Sequence, residues 1–135
     1  MSIETIKFKD KLFAIIIRRN YIPPGLNFVT NDKDPLQVGI HNVNRSKKYK
    51  AHYSLPFKKL NELRATKIYY IRKGRIKVDF YDENSHKFCY SILVPGDLVL
   101  FLKGGHGIKI LNDSIMIEIK QGPYRGAGKE KRFIV

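Results

Sequence analysis

The stretch IKVDFYDENSHKFCYSILV, residues 76–94, decides how this chain folds. Its first six residues alternate: Ile76, Val78 and Phe80 share one face while Lys77, Asp79 and Tyr81 share the other. A period of two is the signature of a half-buried β-strand, because successive side chains leave a strand on opposite sides. Asp82-Glu83-Asn84-Ser85 then supplies turn chemistry. Alternation resumes with Phe88, Tyr90, Ile92 and Val94, which are expected to share a face. Two alternating runs about a polar turn predict a β-hairpin.

The same grammar extends in both directions. Pro95-Gly96-Asp97, Lys103-Gly104-Gly105 and Asn112-Asp113 punctuate the apolar stretches that follow. In residues 115–120, Ile115, Ile117 and Ile119 oppose Met116, Glu118 and Lys120. Upstream, residues 11–18 read as a buried strand with three consecutive isoleucines, Ile15 to Ile17. Pro23-Pro24-Gly25 opens a loop expected to reach about Pro35, residues 36–43 resume as a strand, and residues 45–50 form a charged turn. Residues 54–64 are the one segment where a short helix is expected, on Leu55, Leu60 and Leu63. Strands at this spacing predict an all-β fold, an antiparallel sandwich or barrel. There is no repeat or linker, so residues 1–135 are expected to form one domain, with a frayed tail at 126–135.

Composition narrows the function classes. At 135 residues and 43% hydrophobic, the chain has the size and content for one real core. The single cysteine, Cys89, excludes an internal disulfide framework and a cysteine-rich zinc site. The apolar run 12–17 is too short to span a bilayer, which takes about 20 apolar residues. A soluble, unprocessed, cytoplasmic protein is the expectation. Charge is the outlier: 26 basic residues against 12 acidic give a net +14. Such a surplus attracts polyanions. Yet the basic residues are dispersed from Lys7 to Arg132, with tight groups only at 45–50 and 129–132. No helical recognition motif, zinc-finger spacing or RNA-binding signature accompanies them, so nucleic acid is not the expected partner.

Residues 96–110 resemble the second motif of the cupin superfamily, in which glycines, a proline and a histidine follow one another across a strand–turn–strand. Gly96 and Gly104 match its glycines, Leu102 stands where proline is usual, His106 arrives one residue early and Ile110 takes the asparagine place. The first cupin motif ends with glutamate, six residues and glycine. Gly74 fits that glycine, which puts Lys67 at the glutamate position. Of the paired histidines upstream, Lys50-Ala51-His52 matches the second. The resemblance runs from about residue 36 to residue 120. It implies a small cupin-like β-barrel, or jelly roll, that pairs as a homodimer, to which strand 11–18 would contribute. The ending MIEIKQGPYRG, residues 116–126, is similar to bacterial cupin-like proteins linked to surface-sugar and nucleotide-sugar pathways.

The resemblance also implies a metal site of three imidazoles and a carboxylate on inward-facing positions. This chain keeps His52 and His106 and carries Lys50 and Lys67 at the other two places. Two ammonium groups would repel a dication: at ~4 Å and an effective dielectric of ~20, each pair of unit charges costs about 4 kcal/mol, doubled for a divalent ion. No cofactor is therefore expected. If a divalent transition metal binds, His52 and His106 hold it, and His41, Glu62 or Glu118 would have to complete the set.

The same replacement points to an electropositive cup for an anionic or nucleotide-linked sugar. Lys67 would hold a carboxylate or phosphate, and His52 and His106 are the candidate catalytic bases of an isomerase or epimerase. Tyr69 or Tyr70 would offer a hydroxyl or a stacking face. Glu118 and Lys120 join the site if their strand face points inward, where Glu118 would pair with Lys67 or orient His106; facing outward, they are surface charges. Arg72, Arg75 and Arg125 are weaker phosphate candidates. His41 reads as a surface or hydrogen-bonded residue, His86 as solvated and Cys89 as a small strand residue. Two further functions compete: an interaction module that uses sheet surface and charge to bind a protein or polyanion, and a metal-dependent cupin enzyme with rearranged ligands.

Overall fold

A computed structural model describes residues 2–53, 65–121 and 132–134. The expected helix at 54–64, together with Glu62 and Arg125, lies outside these residues. All regular structure among them is β, and every strand pair is antiparallel, as the alternation predicted. No helix among them is long and apolar enough to cross a membrane. The chain divides into two compact units, Met1–Tyr21 with Ala65–Val135, and Ile22–Arg64.

The first unit holds eight strands in two sheets. One sheet has the order β1 (Ile3–Phe8), β2 (Lys11–Ile17), β8 (Leu98–Phe101), β5 (Lys67–Lys73), β10 (Ile115–Lys120). The other has the order β7 (Lys87–Leu93), β6 (Ile76–Tyr81), β9 (Gly105–Ile110). Among the described residues these are two open sheets whose inner faces pack on each other, and no closed barrel forms. Strand β2 is an interior strand, paired to β1 on one side and β8 on the other. Ala14, Ile16, Ile71, Val99 and Phe101 from the larger sheet meet Ile76, Val78, Phe80 and Leu93 from the smaller one. Burying apolar area at roughly 25 cal/mol per Å² makes this sandwich interior the main stabilising term.

Register corrects one sequence expectation. Strand β6 pairs with β7 through Ile76↔Leu93, Val78↔Ser91 and Phe80↔Cys89. Cys89, Ser91 and Leu93 therefore share the face of the buried Ile76, Val78 and Phe80. Tyr90, opposite Asp79, points outward and is 60% exposed. Of the residues expected to share a face, Tyr90, Ile92 and Val94 lie opposite the Leu93 side, while Phe88, at the irregularity, packs against the core. The irregularity between Phe80 and Tyr81 is where the phase slips, because one extra residue on one strand shifts the pairing.

Two turns are set by glycine. Gly74, between β5 and β6, has φ +90°, and a Cβ there would lie 2.1 Å from Ser114 Oγ and 2.5 Å from the Asp113 carbonyl oxygen. Gly104, before β9, has φ +73° with the Tyr81 carbonyl oxygen 2.4 Å from where a Cβ would be. Both positions need the left-handed region and a close backbone approach, which only glycine combines at low cost.

The Pro95-Gly96-Asp97 turn does more than reverse the chain. Asp97 is 1% exposed. Its Oδ2 accepts hydrogen bonds from Arg18 Nη1 at 2.8 Å and from the Val94 backbone N–H at 2.9 Å. Arg18 also donates to the Ile92 carbonyl at 2.8 Å, to Ser91 Oγ at 3.2 Å and to Glu4. Burial disfavours the Arg18 charge, but Glu4 and Asp97 outweigh it and raise its pKa.

The second unit contains a hairpin of β3 (Gly25–Phe28) and β4 (Gly39–Asn42), paired Gly25↔Asn42 through Phe28↔Gly39. Strand β3 lies where a continuous loop was expected after Pro23-Pro24. Its partner explains it: Gly39 leaves the space that the Phe28 ring fills, since a Cβ there would come within 2.8 Å of that ring.

Candidate functional site

The candidate residues on β5, β8, β9 and β10 come together by register. Lys67, Tyr69 and Ile71 alternate on β5, and Ile71 is in the core cluster, so all three face the sandwich interior. Strand β10 lies antiparallel to β5 with Met116↔Ile71, Glu118↔Tyr69 and Lys120↔Lys67, which aims Glu118 and Lys120 the same way. Met116 packs on the core, while Ile115, Ile117 and Ile119 are 48%, 41% and 49% exposed. Met116, Glu118 and Lys120 thus share the side of Ile71 and the isoleucines the other, but only Met116 is half-buried: Glu118 and Lys120, on the edge strand of the sheet, are exposed like the isoleucines.

Across the interior, β9 pairs with β6 through His106↔Phe80 and Ile108↔Val78, so His106 projects from the inner face of the smaller sheet. Its ring stacks on Phe101 of the larger sheet, with centroids 3.9 Å apart and planes 18° from parallel. Tyr69 meets both rings edge-on, at 5.9 Å from Phe101 and 6.4 Å from His106. The interior is thus apolar around Ile71, Ile76 and Leu93 and turns polar where Lys67, Tyr69 and Glu118 meet His106.

Electrostatics bind this cluster together. Glu118 Oε2 accepts a hydrogen bond from the Tyr69 hydroxyl at 2.9 Å and pairs with Lys67 Nζ at 3.1 Å. Burial works to raise the Glu118 pKa, but the hydrogen bonds from Tyr69 and Lys67 and the charges of Lys67 and Lys120 together hold it below the usual carboxylate value. Burial and then the Glu118 carboxylate push Tyr69 up to about 12. At neutral pH the cluster therefore presents a charged carboxylate, a proton-bearing phenol and two lysines. Lys67 and Lys120 sit directly opposite each other, a cross-strand arrangement that like charges disfavour.

His52 belongs to the second unit. Its Nδ1 donates to the Lys50 carbonyl at 2.9 Å, a bond that fixes which ring nitrogen carries the proton. In the same unit His41 Nδ1 lies 2.7 Å from the Tyr49 hydroxyl, the hydrogen-bonded histidine expected from sequence. Tyr70 points to the opposite face of β5 from Tyr69. Cys89 packs against the core, and burial raises its pKa, which leaves it a poor nucleophile.

Phe101 is the site residue the sequence reading missed. The continuously apolar run Leu98–Phe101 carries no signal that marks it; only the structure places Phe101 opposite Lys67 as a direct cross-strand pair. Thr66 and Gln121 at the edge of the cluster were missed too; the Thr66 backbone N–H donates to Gln121 Oε1 at 2.7 Å. Among the described residues no three His, Cys, Asp or Glu side chains gather in a group able to hold a metal ion. No family model matches the chain, nor does any curated protein or solved structure.

Proposed function

We propose that this chain is a cupin-like protein whose cluster of Lys67, Tyr69, Glu118 and His106 binds an anionic or nucleotide-linked sugar without the standard cupin metal, and isomerises or epimerises it. The observation that carries this reading is the convergence of Lys67, Tyr69 and Glu118 with the stacked Phe101–His106 pair. Each part has a role in sugar chemistry. The cationic pair Lys67 and Lys120 attracts a phosphate or carboxylate, and the half-buried Tyr69 offers its hydroxyl and ring edge to a sugar. Glu118, already charged, accepts from sugar hydroxyls.

His106 is the one imidazole in this cluster, and it serves as the base. It removes a proton from the carbon beside a carbonyl, and the negative charge that develops on the carbonyl oxygen is stabilised by the Lys67 ammonium. Tyr69 keeps its proton at neutral pH and returns one to the same carbon on the opposite face for epimerisation. For isomerisation the proton goes to the former carbonyl carbon while the adjacent hydroxyl passes its proton to the former carbonyl oxygen. His52 has no assigned role in this scheme. The donor set does not suit a divalent metal: Glu118 is engaged by Lys67 and Tyr69, His106 is stacked flat on Phe101, and the lysines repel a dication.

Calorimetric titration with a panel of sugar phosphates and nucleotide sugars tests the reading. A ligand from that panel should bind, and Lys67→Gln should weaken it about tenfold, the value of one charge-assisted hydrogen bond of roughly 1.5 kcal/mol. Proton exchange at the substrate carbon in heavy water should be lost in His106→Ala. If no anionic sugar in the panel binds, or if Lys67→Gln leaves binding unchanged, the reading is wrong.

A further inference from the structure

The outer face of the smaller sheet carries a second set of residues that neither the core nor the Lys67 cluster uses. Strand β6 presents Lys77, Asp79 and Tyr81 on this face. Across the ladder, Lys77 lies directly opposite Lys109 of β9, and Asp79 lies between Tyr90 of β7 and Gly107 of β9. The Lys77↔Lys109 pair places like charges side by side, which costs sheet stability and needs a reason beyond folding. Asp79 braces the group: its Oδ2 pairs with Lys87 Nζ at 3.3 Å and its Oδ1 with Lys77 Nζ at 3.4 Å. Two lysines thus flank one carboxylate, with Lys109 beside Lys77, and Asp79 Oδ1 is buried with the Lys77 ion pair but no hydrogen-bond partner among the described residues.

Aromatic surface lies within this basic patch. Tyr90 is 60% exposed, and Lys77 Nζ hovers 4.7 Å from its ring centroid. The Tyr81 ring leans over Gly107, with Cε2 3.6 Å from where a Cβ would sit. Ile134 covers the Gly105 end of the face, its Cδ1 2.6 Å from the corresponding Cβ position. The open part therefore runs from Gly107 to Lys109 and across to Tyr90.

We infer that this face binds single-stranded nucleic acid, with a base stacked on Tyr90 and the phosphates held by Lys77, Lys87 and Lys109. The chemistry is an exchange: a base takes the ring face that Lys77 now covers, and the released ammonium moves to a phosphate. Stacking on an exposed tyrosine is tolerant of sequence because every base has a π-face. A duplex is excluded from this mode because its bases are already stacked inside. The inference is independent of the sugar reading, since it uses the opposite face of the sheet from His106. The chain's net charge of +14 favours encounter with any polyanion, so the test must separate this patch from the charge of the whole surface.

Fluorescence anisotropy with a labelled oligo(dT) of about 12 nucleotides, within the range bound by one sheet-based module, supplies the measurement. Three phosphate contacts give a slope of about −2 in log K against log salt, or roughly a 20-fold loss between about 50 and 200 mM. Lys77→Gln/Lys109→Gln should reduce that slope by about 1.4, whereas the charge-matched exposed pair Lys7→Gln/Lys11→Gln should leave it unchanged. Tyr90→Ala should weaken binding about tenfold with the slope intact. Lys67→Gln, in the other cluster, should have no effect on oligonucleotide binding. All these side chains except Lys67 lie on outward faces, and matched melting temperatures exclude unfolding as the cause. Equal weakening by the two lysine pairs, tight binding of the corresponding duplex, displacement by polyglutamate as effective as by oligo(dT), or indifference to Tyr90→Ala would each overturn the inference.

Discussion

Glu118 and Tyr69 show how a single position acquires its chemistry from its neighbours. As an isolated letter in IMIEIK, Glu118 reads equally well as a surface carboxylate. Facing inward, it accepts from Tyr69 and pairs with Lys67, which holds its pKa down while raising that of Tyr69 from 10.0 to about 12. The signs of the two contributions are opposite. A depressed carboxylate pKa stabilises the fold above its unfolded value and loses that contribution as acid protonates it. A raised phenol pKa stabilises the fold below its unfolded value and loses that contribution as pH rises through the folded one. Melting temperature should therefore fall between pH 10 and about 12 in a part that Tyr69→Phe removes, measured as the difference between variant and wild type across that window. Lys67 was singled out from the sequence only through the resemblance to a cupin motif, which puts it at the glutamate place. Phe101 was not, because only its stacking on His106 distinguishes it from any other core phenylalanine.

Strands were visible in the sequence, but the face each one buries was not. In β6 the apolar phase is the buried phase, and alternation predicted the fold of that strand correctly. From Tyr90 on, the phase of β7 is reversed from its apolar reading, because pairing with β6 puts Cys89, Ser91 and Leu93 inward. In β10 Met116, Glu118 and Lys120 take the side of Ile71, and the three isoleucines take the other. Hydrophobicity selects a face only where the sheet interior is dry. At the edge strand β10 both faces meet solvent, so hydrophobicity does not choose between them and register follows the neighbouring strand. Turns carry their own energy at this scale. Gly74→Ala must place a Cβ against Ser114 and the Asp113 carbonyl while holding φ at +90°. Its cost should be about 1–3 kcal/mol, the range for strained backbone, read as a lowered midpoint in urea unfolding. An unchanged midpoint would mean that the turn relaxes freely.

At the scale of the eight-stranded unit, two different centres hold the sheets together. One is the apolar cluster around Phe80, which is 2% exposed and touches residues from both sheets. The other is the Arg18–Asp97 pair, which ties the end of β2 to the β7–β8 turn through Ser91, Ile92 and Val94. Breaking it by Asp97→Ala removes a buried acceptor and leaves Arg18 and the Val94 N–H short of a partner. The expected cost is about 3 kcal/mol, toward the low end for buried pairs because Arg18 is partly exposed and keeps Glu4. Chemical denaturation of the variant measures it, and a loss below about 1 kcal/mol would show that the pair contributes only as a surface bridge does. The sequence by itself determined the all-β antiparallel class and the strand-turn rhythm, since period and turn chemistry are local properties of the chain. Tertiary structure alone decided which phase of β7 and β10 faces in, that Asp97 is a buried anchor, and that His106 meets Tyr69 over Phe101. Each of those depends on which residues of distant strands lie opposite one another, and no local pattern encodes a partner.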